Sequence, residues 1–318
     1  MKRLLALAAL LATIGAAIAQ QPYPARPVRL VVPYSSGSSD VVARLVGPKL
    51  SEAWKQPVIV DNRPGANAVI GTELVAKSPA DGYTLLIALG THVISPHLIA
   101  TPYHPVNDFA PVATIAAAEL GLILNPSVPA NTLQEFIALA KSRPGELNYA
   151  TTQIGGNQHV AGELFAILTG AKLTAVPYKG GGEAMSALLG GHVQAYFGSI
   201  ASLAPVMKSG KAKGIAVSGE KRHASVPEVP TFTEQGVKDF DVRLWYAMLA
   251  PAGTPKEVVD KIAGQIAAML ATPDFQATLA KQGLDPFVST PEQFGALLKS
   301  DYERYARIIK TANIKVEQ

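Results

Sequence analysis

Four short loops in the sequence are rich in hydroxyl groups, amides and glycine, which together can hold a small anion. Each loop follows a predicted β-strand, and three of the four precede a predicted helix. Open α/β sheets bind ligands at the carboxyl ends of their strands, where a helix start offers free backbone N–H groups and a partial positive charge. Because Lys179 is the one cation in these loops, the pattern favours hydrogen bonds and bridging water over an arginine clamp.

The loops supply the candidate ligand-binding residues. Two loops fall in each of two predicted domains, so all four can face one another across a single cleft. The candidates are Tyr34, Ser35, Ser36, Gly37, Ser38 and Asp40 in the first loop, Thr91 and His92 in the second, Thr152, Gly155, Asn157 and His159 in the third, and Tyr178 and Gly180 in the fourth, with Ser199 beyond a later strand.

Several of these residues also have a purely structural interpretation. The serines of the first loop could only cap the following helix, with Asp40 favourably placed in its first turn. A lone histidine at a strand end, such as His92, is often a structural hydrogen-bonding residue. Asp40 is not expected to touch a carboxylate, and instead caps the helix, positions a water or meets an amine or hydroxyl of the ligand. The convergence of four similar loops favours a binding site.

Signals for other chemistry are weak. The sequence has no cysteine and none of the motifs GxSxG, GxxxxGK[ST] or HExxH, and no GxGxxG follows the first strand. His92, His97 and His104 lack helical metal-ligand spacing, so we predict neither a metal nor a cofactor. The formal net charge is +4, without a basic block, which argues against nucleic acid. We therefore predict that the chain is not an enzyme; the competing hypothesis is a hydrolase that uses a first-loop serine with His92 or His159.

An alternation of strands and helices must position these loops, and it predicts an α/β fold with parallel sheets. Since the last strand and two helices cannot easily form a third core, we expect them to return to the first lobe. The predicted limits are a first lobe at 20–121, a second lobe at 122–240 and a return segment at 241–318. The predicted strands are 28–32, 58–60, 83–88, 122–124, 147–151, 174–178, 193–197, 214–217 and 244–250, and the predicted helices are 41–54, 69–77, 132–141, 158–169, 183–189, 203–208, 256–270 and 291–309.

The first 19 residues have the form of a secretory signal peptide. Lys2 and Arg3 precede an apolar stretch, and Ala17-Ile18-Ala19 is a small-residue cleavage site. A membrane anchor is the alternative, but the stretch is shorter than the roughly 20 residues that a bilayer span needs. We predict cleavage after Ala19 and a mature protein in the periplasm.

Several motifs, in this order, resemble one protein family along essentially the whole mature chain. They are VPY at 32–34, DVVAR at 40–44, DNRPGA at 61–66, PADGYTL at 79–85, GTH at 90–92, HVAGELF at 159–165, VPYKG at 176–180 and PEVPTF at 227–232. The chain is similar to the substrate-binding receptors of tripartite tricarboxylate transporters, also called the Bug family of periplasmic binding proteins. It departs from the commoner pattern in its first loop, where serines replace a version richer in proline and glycine. Because of this difference, the resemblance does not predict the chemical nature of the distal end of the ligand.

The resemblance implies a type II periplasmic-binding-protein fold, with two lobes, each a central β-sheet flanked by helices, joined by two crossings. Such a receptor closes on an organic acid, often with two waters bridging the ligand's carboxylate to the main chain. We expect a monomer that captures a mono-, di- or aromatic carboxylate and delivers it to the membrane components of a tripartite tricarboxylate transporter. A ligand-sensing role beside a signalling system is the alternative that the sequence cannot separate from transport.

Overall fold

The computed structural model describes residues 23–34, 38–66, 68–152, 154–240 and 242–315, which form an α/β protein with ten strands and ten α-helices in this part of the chain. The strands are β1 Val28–Val32, β2 Val58–Asn62, β3 Thr84–Leu89, β4 Phe109–Leu124, β5 Asn148–Thr151, β6 Thr174–Pro177, β7 Ala195–Ser199, β8 Lys213–Val217, β9 Arg243–Pro251 and β10 Asp285–Pro286. The α-helices are α1 Ser38–Trp54, α2 Val69–Ala76, α3 Thr91–Ile94, α4 Leu133–Ser142, α5 Asn157–Thr169, α6 Gly181–Leu189, α7 Ile200–Lys208, α8 Lys256–Leu270, α9 Pro273–Lys281 and α10 Pro291–Ala312.

The sheet of the first lobe is mixed. Strand β1 lies between β2 and β3 and is parallel to both, while β9 runs antiparallel between β3 and β4. Side chains of β1 alternate between two cores: Val31 packs with α2, and Leu30 and Val32 pack with α1 and α8. Burial on both faces explains why four of the five residues of this strand are apolar rather than every second one.

The sheet of the second lobe is built on β5, which is parallel to both β6 and β7. It joins the first sheet through β4, a single strand of 16 residues. The part of β4 from Phe109 to Glu119 pairs with β9, and the part from Leu120 to Leu124 pairs with β7 and β8. One crossing between the lobes is therefore a strand, and the other is the chain between β8 and β9.

The start of β4 differs from the sequence prediction, which recognised only residues 122–124. Residues 116–118 are three alanines, which have low β-propensity, and pairing with β9 and β10 overrides that preference. The predicted limit between residues 121 and 122 lies inside this strand, and the domain limits stay a prediction.

The C-terminal segment packs against both lobes. Strand β9 lies in the first sheet, and α8 packs on β4 and α1. Helix α10 contacts β4 and α3 on one side and α5 of the second lobe on the other. Helix α9 is not predicted from the sequence, because only Phe275 and Leu279 of its nine residues are buried and the apolar period is weak. No helix in the described part of the chain has the length and apolarity to cross a bilayer.

Candidate functional site

A cavity of about 210 Å³ lies between the two lobes. Its walls come from the ends of β1, β3 and β5, from the starts of α1, α3 and α5, and from β9. Ligand sites for drug-sized molecules measure roughly 300–1,000 Å³, so this cavity suits a smaller solute. The described lining residues are Tyr34, Ser38, Leu89, Thr91, Leu244, Trp245 and Tyr246 from the first lobe and Thr152, Gly156, Asn157 and Gln158 from the second.

The wall of the first lobe presents hydroxyl groups that are held in pairs. The Tyr34 hydroxyl lies 2.6 Å from Thr91 Oγ1, and the Tyr246 hydroxyl donates to Ser38 Oγ at 2.8 Å. Burial raises the pKa of Tyr34 to about 12 and also raises the pKa of Tyr246. Both phenols therefore stay protonated at neutral pH. The Tyr246 hydroxyl donates its proton to Ser38, and the Ser38 hydroxyl keeps its own proton to donate.

The wall of the second lobe is the loop that leads into α5. Thr152 Oγ1 donates to Gln158 Oε1 at 3.1 Å, and the Gly155 N–H donates to His159 Nδ1 at 2.8 Å. Gly155 has a φ of 75°, a left-handed conformation that favours glycine. Helix α5 begins after Gly156, at which no side chain caps the helix. Gly156 has no side chain with which to satisfy the first-turn N–H groups, and these groups together with the helix dipole favour an anion there.

None of the described lining side chains carries a formal charge. An anion in this cavity would be held by neutral donors and by the start of α5 rather than by a fixed cation within the described lining. Among the described residues, no group of three or more His, Asp and Glu side chains is arranged to hold a metal ion.

Two predicted site residues have partners away from the cavity. Asp40 accepts hydrogen bonds from Arg44 Nε at 2.9 Å and from Asn62 Nδ2 at 2.8 Å, and these two groups lower the pKa of its carboxyl. His92 is buried, with Nε2 at 2.8 Å from the Pro105 carbonyl oxygen, and burial lowers its pKa to about 4. Asp40 thus connects the start of α1 to the end of β2 through Asn62. His92 is buried in the first lobe next to Thr91, which lines the cavity.

Five further candidates lie outside the described cavity lining. His159 sits behind its loop, with Nε2 at 3.7 Å from Glu163 Oε1. Tyr178 packs beside the second-lobe core, Gly180 precedes α6, and Ser199 Oγ donates to Ser202 Oγ at 3.2 Å. Gly155 shapes the loop without being among the lining residues. Ser35, Ser36 and Gly37 lie outside the described residues.

Six of the described lining residues are not among the candidates predicted from the sequence, namely Leu89, Gly156, Gln158, Leu244, Trp245 and Tyr246. Gly156 and Gln158 belong to the third predicted loop. The β9 residues were predicted as a strand, but only the pairing of β9 with β3 and β4 places them beside the cleft. A Trp-Tyr pair in a strand is the signal that could have drawn attention to this wall.

Comparison with known proteins places the chain among transport receptors. The family model for the tripartite tricarboxylate transporter family receptor matches residues 42–314. The protein BugT of Bordetella pertussis is 35% identical over 310 residues, which cover 96% of this chain and 95% of BugT.

Two solved structures from Rhodopseudomonas palustris are similar along most of their length. Rpa4515, solved with adipate, has a TM-score of 0.78 and 33% identity and covers 92% of this chain and 99% of its own. MatC, solved with bound malate, has a TM-score of 0.75 and 29% identity and covers 90% of this chain and 100% of its own. These matches confirm the fold class and the family that the motifs indicated.

Proposed function

This chain belongs to the tripartite tricarboxylate transporter receptor family, and we propose that it captures a small organic carboxylate in the cavity between its lobes. The family consists of periplasmic solute-binding receptors rather than enzymes, which contradicts the hydrolase hypothesis. The observation that carries the proposal is that both lobes direct neutral hydroxyls and the uncapped start of α5 into one cavity.

The chemistry of the cavity suits a carboxylate. Its oxygens accept hydrogen bonds, and the described walls offer hydroxyl donors from Tyr34, Ser38 and Thr91 together with the first-turn N–H groups of α5. The relatives solved with adipate and malate hold dicarboxylates, which supports the same class here. The ligand class we propose is a mono-, di- or aromatic carboxylate small enough for a cavity of about 210 Å³.

Capture follows from the arrangement of the lobes. We propose a first lobe made of residues 20–121 and 241–318 and a second lobe made of residues 122–240, in a mature monomer released by cleavage after Ala19. Rotation of one lobe onto the other at β4 and at the chain between β8 and β9 would close the cavity and exclude bulk water. The closed form would then dock on the membrane components of a tripartite tricarboxylate transporter.

Binding can be tested with a tryptophan at the cavity wall. The chain has two tryptophans, so Trp54→Phe leaves Trp245, which lines the cavity and donates Nε1 to Asp301 Oδ2 at 2.8 Å. Titration of the ligand-stripped mature variant with mono-, di- and tricarboxylates and aromatic acids should change its emission in a saturable way for one class. The same acid at 100 times its dissociation constant adds about 2.7 kcal/mol, which raises Tm by roughly 5–10 °C. If no carboxylate changes the emission or the Tm, the carboxylate assignment is wrong.

Delivery to a transporter needs a separate experiment. Cells that lack this receptor, or that lack the membrane components, should lose high-affinity uptake of the radiolabelled acid found in the titration. Uptake that survives both deletions would contradict the transport role while leaving the binding result intact.

A further inference from the structure

His159 does not line the cavity between the lobes, yet it holds the loop that does. It is the third residue of α5 and is only 7% exposed. Its Nδ1 atom accepts a hydrogen bond from the backbone N–H of Gly155 at 2.8 Å. Thr152 and Gly156, which lie on either side of Gly155 in the sequence, both line the cavity. The imidazole therefore fixes the middle of this cavity wall from behind.

The hydrogen bond to Gly155 also determines where the ring of His159 carries its proton. A ring nitrogen that accepts a hydrogen bond has no proton of its own, so the single proton of the neutral imidazole lies on Nε2. Nε2 faces Glu163 Oε1 at 3.7 Å. Burial lowers the pKa of His159 to about 4, so the ring is neutral at neutral pH. Nδ1 therefore remains a hydrogen-bond acceptor under physiological conditions.

Gly155 depends on this acceptor. The residue is buried and has a φ of 75°, which directs its N–H back towards the first turn of α5. A buried N–H that loses its acceptor is costly, so the loop would shift until this group reached water. Gly155 and Gly156 have no side chains with which to pack, and they lead directly into α5. A shift at Gly155 would therefore also displace the wall residue Gly156.

Helix α5 itself is anchored independently of the imidazole. Val160, Leu164 and Phe165 lie in the core of the second lobe. The Tyr149 hydroxyl shares its proton between the His159 carbonyl oxygen and Glu163 Oε1, each at 3.2 Å. The loop, rather than the helix, is thus the part of this wall that the His159 ring controls.

This arrangement gives His159 a part in binding although it lies outside the described lining. Given the proposed carboxylate-binding function, on which this step rests, we propose that His159 is a positioning residue. By accepting the Gly155 N–H, it holds the third loop in its binding conformation before the ligand arrives. A preorganised loop raises affinity, because the cost of ordering it is not charged against binding.

Two amide substitutions of His159 test the proposal. In His159→Asn, Oδ1 is attached to Cγ as Nδ1 is, so it can accept the Gly155 N–H. In His159→Gln, the amide lies one bond further from the backbone and leaves no acceptor at that position. Both side chains are neutral, as the imidazole is, so the field at the cavity is unchanged. The two variants therefore differ in the one contact that the proposal requires.

Calorimetry should be performed with the carboxylic acid that binds the ligand-stripped wild type. His159→Gln should bind it about 5- to 150-fold more weakly, which corresponds to one buried N–H left without an acceptor. His159→Asn should stay within about threefold of wild type. Tyr149→Phe is the matched control: it removes hydrogen bonds to the same helix turn but leaves the Gly155 contact, so its affinity should also stay within about threefold.

Amide hydrogen exchange, measured by NMR on the ligand-free proteins, reports on the loop directly. The Gly155 amide should be protected in wild type and in His159→Asn, and should exchange at least about tenfold faster in His159→Gln. The ¹⁵N spectrum of wild type should show the His159 proton on Nε2. These signals would not depend on His159 if it only filled space in the core.

Several results would overturn the positioning role. They are wild-type affinity in His159→Gln, an equal loss in His159→Asn, and an equal loss in Tyr149→Phe. If neither amide variant folds, a wild-type Gly155 amide that exchanges as fast as an unstructured glycine would overturn it instead. Failure of every carboxylic acid to bind wild type would refute the proposed function, and the Gly155 exchange rates would still test the contact with His159.

Discussion

His92 should make the protein sensitive to mild acid. Its Nε2 lies 2.8 Å from the Pro105 carbonyl oxygen, so the ring carries its proton there, and its Nδ1 is buried without a partner in the described structure. The ring packs against Tyr103 and Phe109, whose centroids lie 6.2 and 4.9 Å away. A second proton would have to be placed on a buried nitrogen that has no acceptor, and burial accordingly lowers the His92 pKa to about 4.

The sign and size of the effect follow from linkage. Below the ordinary pKa of 6.5, the unfolded chain takes up a proton that the folded chain refuses until about pH 4. The contribution of His92 to the free energy of unfolding is therefore fully present above pH 6.5 and is lost as the pH falls. The loss amounts to about 2 kcal/mol at pH 5 and about 3 kcal/mol at pH 4.

Urea denaturation of wild type and His92→Gln from pH 7 to pH 4 measures this loss. Glutamine can still donate to Pro105 but does not titrate, so the variant should gain stability relative to wild type by about 3 kcal/mol across this range. His159, whose pKa burial also lowers to about 4, is present in both proteins and cancels in the difference. His192→Gln, at an exposed position, should run parallel to wild type. Parallel curves for His92→Gln and wild type would refute the assignment of a buried neutral imidazole.

Glycines at close contacts support two further predictions. Gly90→Ala should weaken binding of the preferred acid by about 5- to 150-fold in calorimetry. The new methyl group on the first lobe would lie 2.9 Å from Asn157 Oδ1 on the second lobe, and such overpacking costs about 1–3 kcal/mol. Unchanged affinity would show that binding does not require Gly90 and Asn157 to come this close. Gly162→Ala should lower the free energy of unfolding, measured in urea, by about 1–3 kcal/mol, because its Cβ would lie 2.3 Å from Tyr149 Cζ. Gly264→Ala, which has open space around it in α8, should instead raise the free energy of unfolding by about 0.5–1 kcal/mol. Equal effects of these two substitutions would contradict the packing argument.

Much of the fold could be predicted because its local signals agree with its packing. Four of the five residues from Val28 to Val32 are apolar because β1 is buried on both faces. Tyr34 and Thr91 line the cavity because each follows the end of a parallel strand of the first sheet, and such ends share one edge. Thr152 follows β5 of the second sheet and lies on the opposite wall of the same cavity. Their part in binding remains a prediction until a ligand is observed.

The remainder depends on contacts between distant residues. Trp245 and Tyr246 form a wall of the cavity only because β9 returns to pair between β3 and β4, and nothing in their immediate sequence indicates that pairing. His92 was expected near the ligand, yet the short helix α3 turns it towards Pro105 while Thr91 faces the cleft. The neighbouring side chains of Thr91 and His92 therefore lie in different places, one in the cavity wall and the other in the core. Their position after a strand end does not by itself predict which of the two lines the cavity.

A crystal structure of the mature chain with the acid that gives the largest thermal shift tests the central claim most directly. We predict that the acid occupies the cavity between the lobes, with its carboxylate within hydrogen-bonding distance of the first turn of α5, directly or through one water. We also predict that it contacts hydroxyls of the first lobe, among them Thr91. An acid bound elsewhere, or one that contacts a single lobe while the cavity holds only solvent, would contradict the account.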